Sequence, residues 1–284
     1  MRATGWMPYA AVALILVLFA GDLVLIRSGY QQYRDEADQP PDELVCGISQ
    51  RSLAAGAIPE NFLGGEDDRR LVGTVAYPWS AIGVVFTPGS QCSGALIGDD
   101  LVLTAGHCFP GLAEGAIDAS DVWFIAGVTS ADAVAESRAE AVAISPTYNP
   151  ARHWRPSTDW ALVMLADPIG REAGSLPVAS PLQAERALEN GPLTQAGYST
   201  DRPLDLTAHQ GCAADFVDPQ GWFTHSCDVL PGDSGSPILA EVDGAPTIVG
   251  VTTNIYCRGD RGADGGAAAS TAAFWSAIQA AASP

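Results

Sequence analysis

The chain has 284 residues, of which 33 are acidic and 14 basic, giving a formal net charge of −19, and every basic residue is arginine. Such a chain has no clustered positive charge with which to displace counterions from phosphates, which excludes nucleic acid as a partner. With 47% hydrophobic residues it can build one large core or two smaller ones packed together.

The N-terminal segment 1–30 is read as a membrane anchor or an export signal, because Tyr9 to Ile26 is apolar apart from Gly21 and Asp22. Those 18 residues would make a helix of about 27 Å, slightly short of the roughly 30 Å hydrocarbon core of a bilayer. Cleavage after Ala20 or Gly21 would put Leu18 or Phe19 where a small residue belongs, so an uncleaved anchor is favoured over a cleaved signal. Arg27, just past the span, opposes that orientation by the positive-inside rule. Either route places the rest of the chain outside the cytoplasm, anchored at a bacterial inner membrane with its folded part in the periplasm, or secreted. The polar, acidic Gln31–Asp42 stretch begins a tether or propeptide-like arm over 31–64.

From Leu71 onward, short runs rich in Val, Ile, Thr and aromatics are punctuated by Gly, Asp and Pro at strand-like intervals: Trp79–Phe86, Ala95–Gly98, Leu101–Gly106, then DVWFIAGV, DWALVML, PLTQAGYS and PTIVGVTT. Ala113–Asp121 and Arg258–Gly266 read as surface loops, and only Ser270–Ala282 has the alanine content and length of a helix. The expectation is an all-β chain closing with one helix. Cys46, Cys92, Cys108, Cys212, Cys227 and Cys257 form an even set with no C-x-x-C pair, which points to disulfides in an oxidising compartment. His153, His209 and His225 have no metal-ligand spacing and read as surface or loop residues, so neither a metal nor a cofactor is expected.

Three segments carry chemistry, in the order TAGHC (Thr104–Cys108), DWAL (Asp159–Leu162) and GDSGSP (Gly232–Pro237). Serine becomes a useful nucleophile only when an imidazole of the right tautomer can take its proton, and a buried carboxylate on the other ring nitrogen fixes that tautomer. His107, Asp159 and Ser234 supply the three groups, in one of the chain orders known for serine triads. The small residues around Ser234 would let the N–H groups of Gly232 and Ser234 converge on one point, an oxyanion hole worth about 3 to 4 kcal/mol per donor. Each segment alone has a blander reading as a turn, a core histidine or a strand start. Together, in this order, they point to a serine hydrolase.

The same segments resemble the signatures of the chymotrypsin-like serine peptidases, and Glu66–Val85, CSGALIG and HSCDVLPGDSGSP are similar to the bacterial glutamyl-endopeptidase-like branch. The resemblance covers Gly65 to the C-terminus. It implies two six-stranded Greek-key barrels, over 65–180 and 181–284, with Leu176–Pro181 crossing between them. His107 and Asp159 would come from the first and Ser234 from the second. Function would then be endopeptidase cleavage of extracytoplasmic polypeptides through an acyl-enzyme; a catalytically silent binding module of this fold and an esterase are the alternatives. Resemblance also implies a Cys92–Cys108 disulfide beside His107; Cys212 pairs with Cys227 by placement, leaving Cys46 for Cys257. For the substrate pocket it implies Asp228, Thr252, Thr253 and Ile255. Basic residues rank first, on Asp228 six residues before Ser234, and small or apolar ones next, on Ile255 in place of a common glycine. Glutamate comes last, since Thr252 stands where glutamyl-specific relatives use a histidine. Maturation has two candidate cuts: one upstream near Phe62–Gly65, which is favoured along with no cut, and one at Arg70–Leu71, whose new amino group would pair with Asp233.

Overall fold

Residues 44–45, 48–49, 63, 65–112, 115–150, 155–257 and 263–281 are described by a computed structural model. The anchor segment 1–30, most of the 31–64 arm, His153 and the Cys46–Cys257 pairing lie outside the described residues. Among the described residues no helix is long and apolar enough to cross a membrane.

After the short pairs β1 (Leu44–Val45), β2 (Ile48–Ser49) and β3 (Arg70–Leu71), six strands close a barrel. They are β4 (Ile82–Thr87), β5 (Ser90–Leu96), β6 (Leu101–Thr104), β7 (Trp123–Ala126), β8 (Ala135–Ile144) and β9 (Ala161–Leu165), in the spatial order β4-β5-β6-β9-β8-β7. The jump from β6 to β9 instead of to β7 is the Greek-key crossover. β4 and β6 are buried on nearly every residue because their outer faces are covered as well. By contrast β8 alternates small and charged residues, AESRAEAVAI, and presents one side to solvent. Glu136, Arg138 and Glu140 interrupt its first six residues, which is why it escapes a search for hydrophobic strands. Val85, Leu96, Val102, Phe124, Val163 and Leu165, which the strand register puts on one face, fill the barrel.

The second half is an eight-stranded antiparallel sheet: β10 (Leu193–Gly197), β11 (Thr207–Cys212), β12 (Ala214–Asp218), β13 (Trp222–His225), β14 (Pro237–Val242), β15 (Ala245–Cys257) and β16 (Ala263–Ser270), with β3 from the N-terminal arm. Its order, β12-β13-β16-β15-β14-β10-β11-β3, differs from the expected six-stranded closed barrel. However, β11 and β12 are consecutive in the chain, parted only at Ala213, so one bent strand serves both flanks of the sheet. Counting it once and setting β3 aside leaves six strands. The Arg258–Gly266 loop expectation fails in its last four residues, where Ala263–Gly266 begin β16. Glycine and alanine are poor strand formers, and here the pairing partners β13 and β15 decide.

Besides the one-turn α1 (Gly170–Ala173) and the expected C-terminal helix, α3 (Thr271–Ala281), the chain forms α2 (Pro181–Asn190), which the alanine criterion missed. Its start was written in the sequence: Ser180 Oγ accepts from Gln183 N–H, the Gln183 side chain reaches back to the Ser180 N–H, and Pro181 occupies the first turn. Such a box contributes about 1 kcal/mol. The crossing segment ahead of it is pinned to both halves, by Leu176 N–H to the Leu96 carbonyl and by Ala179 N–H to the Ile248 carbonyl.

Candidate active site

Neighbouring strands β6 and β9 pair Thr104 with Ala161, so the turns at their adjoining ends lie side by side. His107 sits in the 3₁₀ turn that follows β6, and Asp159 ends the 3₁₀ turn that precedes β9. Asp159 is fully buried and gives both oxygens to His107: Oδ1 accepts the backbone N–H at 2.8 Å, and Oδ2 lies 2.7 Å from Nδ1. That bidentate grip fixes both the turn and the ring. On its other side His107 Nε2 stands 2.8 Å from Ser234 Oγ. Burial works against the imidazolium, yet the Asp159 charge and hydrogen bond outweigh it and hold His107 above the ordinary histidine range.

Ser234 lies in the loop between β13 and β14, and Ser93 of β5 ties that loop to the barrel. Ser93 N–H donates to the Ser234 carbonyl at 2.8 Å, and Ser93 Oγ donates to the Gly232 carbonyl at 2.9 Å while accepting the Tyr198 N–H at 2.8 Å. Gly232 has φ 94°, and a Cβ there would come within 2.6 Å of the Tyr198 carbonyl. At Gly235, φ 83°, a Cβ would strike the Ser93 carbonyl and Thr104 Oγ1. The second glycine is therefore needed for the close seating of the loop on β5 and β6. Among the described residues, neither the Gly232 nor the Ser234 N–H is taken up by another group of the protein. Cys92 and Cys108 are bonded, as are Cys212 and Cys227.

Of the residues expected to line a substrate pocket, Thr252, Thr253 and Ile255 lie on β15, and Asp228 lies in the loop between β13 and β14. Thr252 is buried and its backbone brackets the serine loop, accepting from Gly235 N–H at 2.8 Å and donating to the Ser236 carbonyl at 2.9 Å. Thr253 Oγ1 donates to the Ala267 carbonyl at 3.2 Å, and Ile255 pairs with Gly266. Asp228 is engaged locally. Its Oδ2 accepts the Asp68 N–H at 2.8 Å and lies 3.2 Å from His209 Nδ1, and its own N–H donates to that nitrogen at 3.0 Å. Asp68, His209 and Asp228 bring three potential metal-ligand atoms within 4.8 Å, and these bonds already occupy two of them.

His209 and His225 are not the surface residues expected. His209 is mostly covered beside Asp228, and His225, at the end of β13, is fully buried with neither ring nitrogen hydrogen-bonded among the described residues. Its ring lies over Gly266, where a Cβ would come within 2.7 Å of Nε2. Burial, with the His209 charge adding to it, pushes His225 down to about 3, so it is neutral.

Sequence reasoning also passed over Arg69. Its side chain is buried, and each of its five N–H donors has a partner: Nε and Nη2 on Asp67, Nη1 and Nη2 on Asp201, and Nη1 on Ser199 Oγ at 2.9 Å. The DD in EDDRR was the available signal, but Asp201 and Ser199 are more than a hundred residues away in sequence.

Residues 72–275 match the family model described as Trypsin. Among curated proteins the chain is 25% identical over 186 residues to a glutamyl endopeptidase of Bacillus licheniformis, covering 64% of this chain and 55% of that protein. It is 27% identical over 186 residues to a trypsin-like protease of Streptomyces glaucescens, covering 57% of this chain and 64% of that one. The chain thus spans less than two thirds of the length of either relative. A solved structure of a Glu endopeptidase in complex with MPD superposes with a TM-score of 0.63 at 23% identity, covering 76% of this chain and 97% of its own, which shows the shared fold. With the family model matched over most of its length, the chain belongs to the trypsin family.

Proposed function

We propose that this protein is a serine endopeptidase in which Ser234 is the nucleophile, His107 the general base and Asp159 the group that orients and stabilises the imidazole. The observation that carries this is the unbroken line from Asp159 Oδ2 to His107 Nδ1 at 2.7 Å and from His107 Nε2 to Ser234 Oγ at 2.8 Å. Ser234 Oγ attacks the scissile carbonyl as His107 takes its proton, and the N–H groups of Gly232 and Ser234, unclaimed among the described residues, receive the developing oxyanion. His107 then returns the proton to the leaving amine, and water releases the acyl group by the same route. Because all three groups are in hydrogen-bond reach, a silent binding module is the weaker reading.

Substrates are polypeptides outside the cytoplasm, reached by export through residues 1–30, either anchored or released; the two disulfides favour an oxidising compartment. At the residue before the cut, small or apolar side chains are preferred. The Asp68 N–H already occupies Asp228 Oδ2, and His209 Nδ1 holds the Asp228 N–H, which weakens the argument for a free carboxylate awaiting arginine. Glutamate, which the Bacillus relative's name specifies, would meet Thr252 instead of a cation. A fluorophosphonate probe tests the central claim: the wild-type chain should be labelled on Ser234, and Ser234→Ala should lose both labelling and peptidase activity. Retained activity in Ser234→Ala would refute the assignment.

A further inference from the structure

We propose that Arg69 is a positioning residue that holds the oxyanion loop in its working shape from within the uncut chain, so that the intact 66–71 arm belongs to the active form. This rests on the peptidase reading above. The loop that carries Gly232 and Ser234 turns on Asp233, whose carboxylate is fully buried and points away from Ser234 into the second sheet. There Oδ2 accepts the Leu230 N–H at 2.9 Å, and Ser199 Oγ donates to the carboxylate at 2.9 Å. Ser199 has one proton to give, and it gives it to Asp233; its lone pair accepts Arg69 Nη1–H at 2.9 Å. A line of two hydrogen bonds therefore runs from a buried cation through one hydroxyl to a buried anion.

A buried carboxylate without a cation is costly enough that it takes up a proton or turns toward water, and Asp233 cannot turn without moving the Gly232 and Ser234 N–H groups with it. Among the described residues, Arg69 is the cation whose charge bears on Asp233. Asp67 and Asp201, with Arg202 beside both, hold the guanidinium in place. Those contacts leave Arg69 no unassigned donor, so its position is fixed from all sides.

The location of Arg69 gives the arrangement its consequence. It stands immediately before Arg70–Leu71, the bond whose cleavage would free an amino group for Asp233. Leu71 is 66% exposed and paired with Thr207, and the cationic partner of Asp233 is already supplied. The upstream arm is bound to the second sheet by Asp68 N–H to Asp228 Oδ2 at 2.8 Å and by the Arg70–Ala208 pairing. A cut after Arg70 would separate Arg69 from the peptidase chain and remove the support instead of creating it.

The test uses the full chain, whose wild-type form must first be labelled at Ser234 by a fluorophosphonate; an unlabelled wild type overturns the peptidase reading itself. In a labelled, active wild type, Arg70→Gln, which abolishes a tryptic-type cut, should keep full activity. Arg69→Met should lose about 10²-fold in kcat with a smaller change in KM, since misaligned oxyanion donors act on the transition state. It should lose affinity in parallel for an alanine-ended peptide boronate, which forms a tetrahedral adduct, while the affinity for the matching non-covalent peptide is kept. Arg69→Lys should recover part of the loss. Should Arg69→Met fail to fold, Ser199→Ala decides, because it breaks the line while sparing the bonds to Asp67 and Asp201, and it should show the same kcat and boronate pattern. The inference is overturned by an inactive Arg70→Gln, by active enzyme whose N-terminus is Leu71, or by wild-type kcat in Arg69→Met or Ser199→Ala.

Discussion

Replacing Asp159 by asparagine isolates what the carboxylate does for His107. In the wild type the two oxygens serve two donors, the backbone N–H and Nδ1–H of the same residue. An amide has one oxygen to offer. If it stays on the backbone N–H, the NH₂ group faces Nδ1, the ring carries its proton on Nε2, and the proton of Ser234 has nowhere to go. The flipped amide restores the tautomer but sets its NH₂ against the buried backbone N–H, at a cost of about 1–3 kcal/mol, or roughly 10- to 100-fold in the productive population. Loss of the charge that stabilises the imidazolium adds the remainder, bringing the fall in turnover to about 10⁴-fold. The acid limb of the pH profile should also move. Activity is lost as His107 gains a proton on its reactive nitrogen, and Asp159 holds its pKa up, so the variant's limb should lie at lower pH. Hydrolysis of a peptide substrate from pH 5 to 10, normalised by active-site titration, reads both effects. Turnover within about tenfold of wild type, or an acid limb that stays in place, would refute the reasoning.

The remaining predictions concern stability and specificity. His225→Leu should raise Tm at pH 4 relative to wild type more than at pH 7. A histidine held down to about 3 stays neutral in the fold while the unfolded chain protonates below about 6.5, so the fold loses stability as pH falls through that window; an equal Tm difference at the two pH values would contradict this. Reducing either disulfide should cost about 3 kcal/mol in denaturant unfolding, as their separations of 16 and 15 residues imply in the chain-entropy model. A negligible shift in midpoint would exclude that account. On matched peptides ending in Arg, Ala, Leu and Glu, Ala or Leu should be cleaved fastest. Asp228→Asn should not alter the ranking, whereas a strong Arg preference lost in Asp228→Asn would show that the carboxylate reaches the substrate.

What was legible in the sequence followed from local rules. Strands such as β4, β6 and β9 are short apolar runs, and the three motifs at His107, Asp159 and Ser234 are contiguous strings whose chemistry is written in the residue types. Elements without such a signature were passed over: β8, whose charged alternation hides its inward face, and β16, whose Gly/Ala composition suits a strand only because β13 and β15 flank it. The start of α2 was readable from S-P-L-Q, and the alanine criterion simply asked a different question.

The site divides along the same line, and the division has a physical cause. Catalytic groups are constrained by chemistry to a few residue types, so they announce themselves one by one. Groups that support them are constrained only by complementarity with whatever the fold brings near. A bare carboxylate six residues before the serine reads as a pocket floor until the Asp68 N–H, on the N-terminal arm, takes one of its oxygens. Arg69, beside the candidate cut at Arg70–Leu71, carries no signal of its own until Ser199 and Asp201, 130 and 132 residues on, surround it. Both facts turn on the edge pairing of β3 with β11, two residue pairs long, which brings the N-terminal arm against the second sheet. That pairing connects the arm to the serine loop. Removing it, for example by Val72→Pro, which abolishes the Val72 N–H bond to the Leu206 carbonyl at 3.1 Å beside that pairing, should reproduce the loss of turnover of an Arg69 variant while leaving every catalytic side chain intact. Measured kcat and boronate affinity at wild-type levels in that variant would show that the arm and the site are independent.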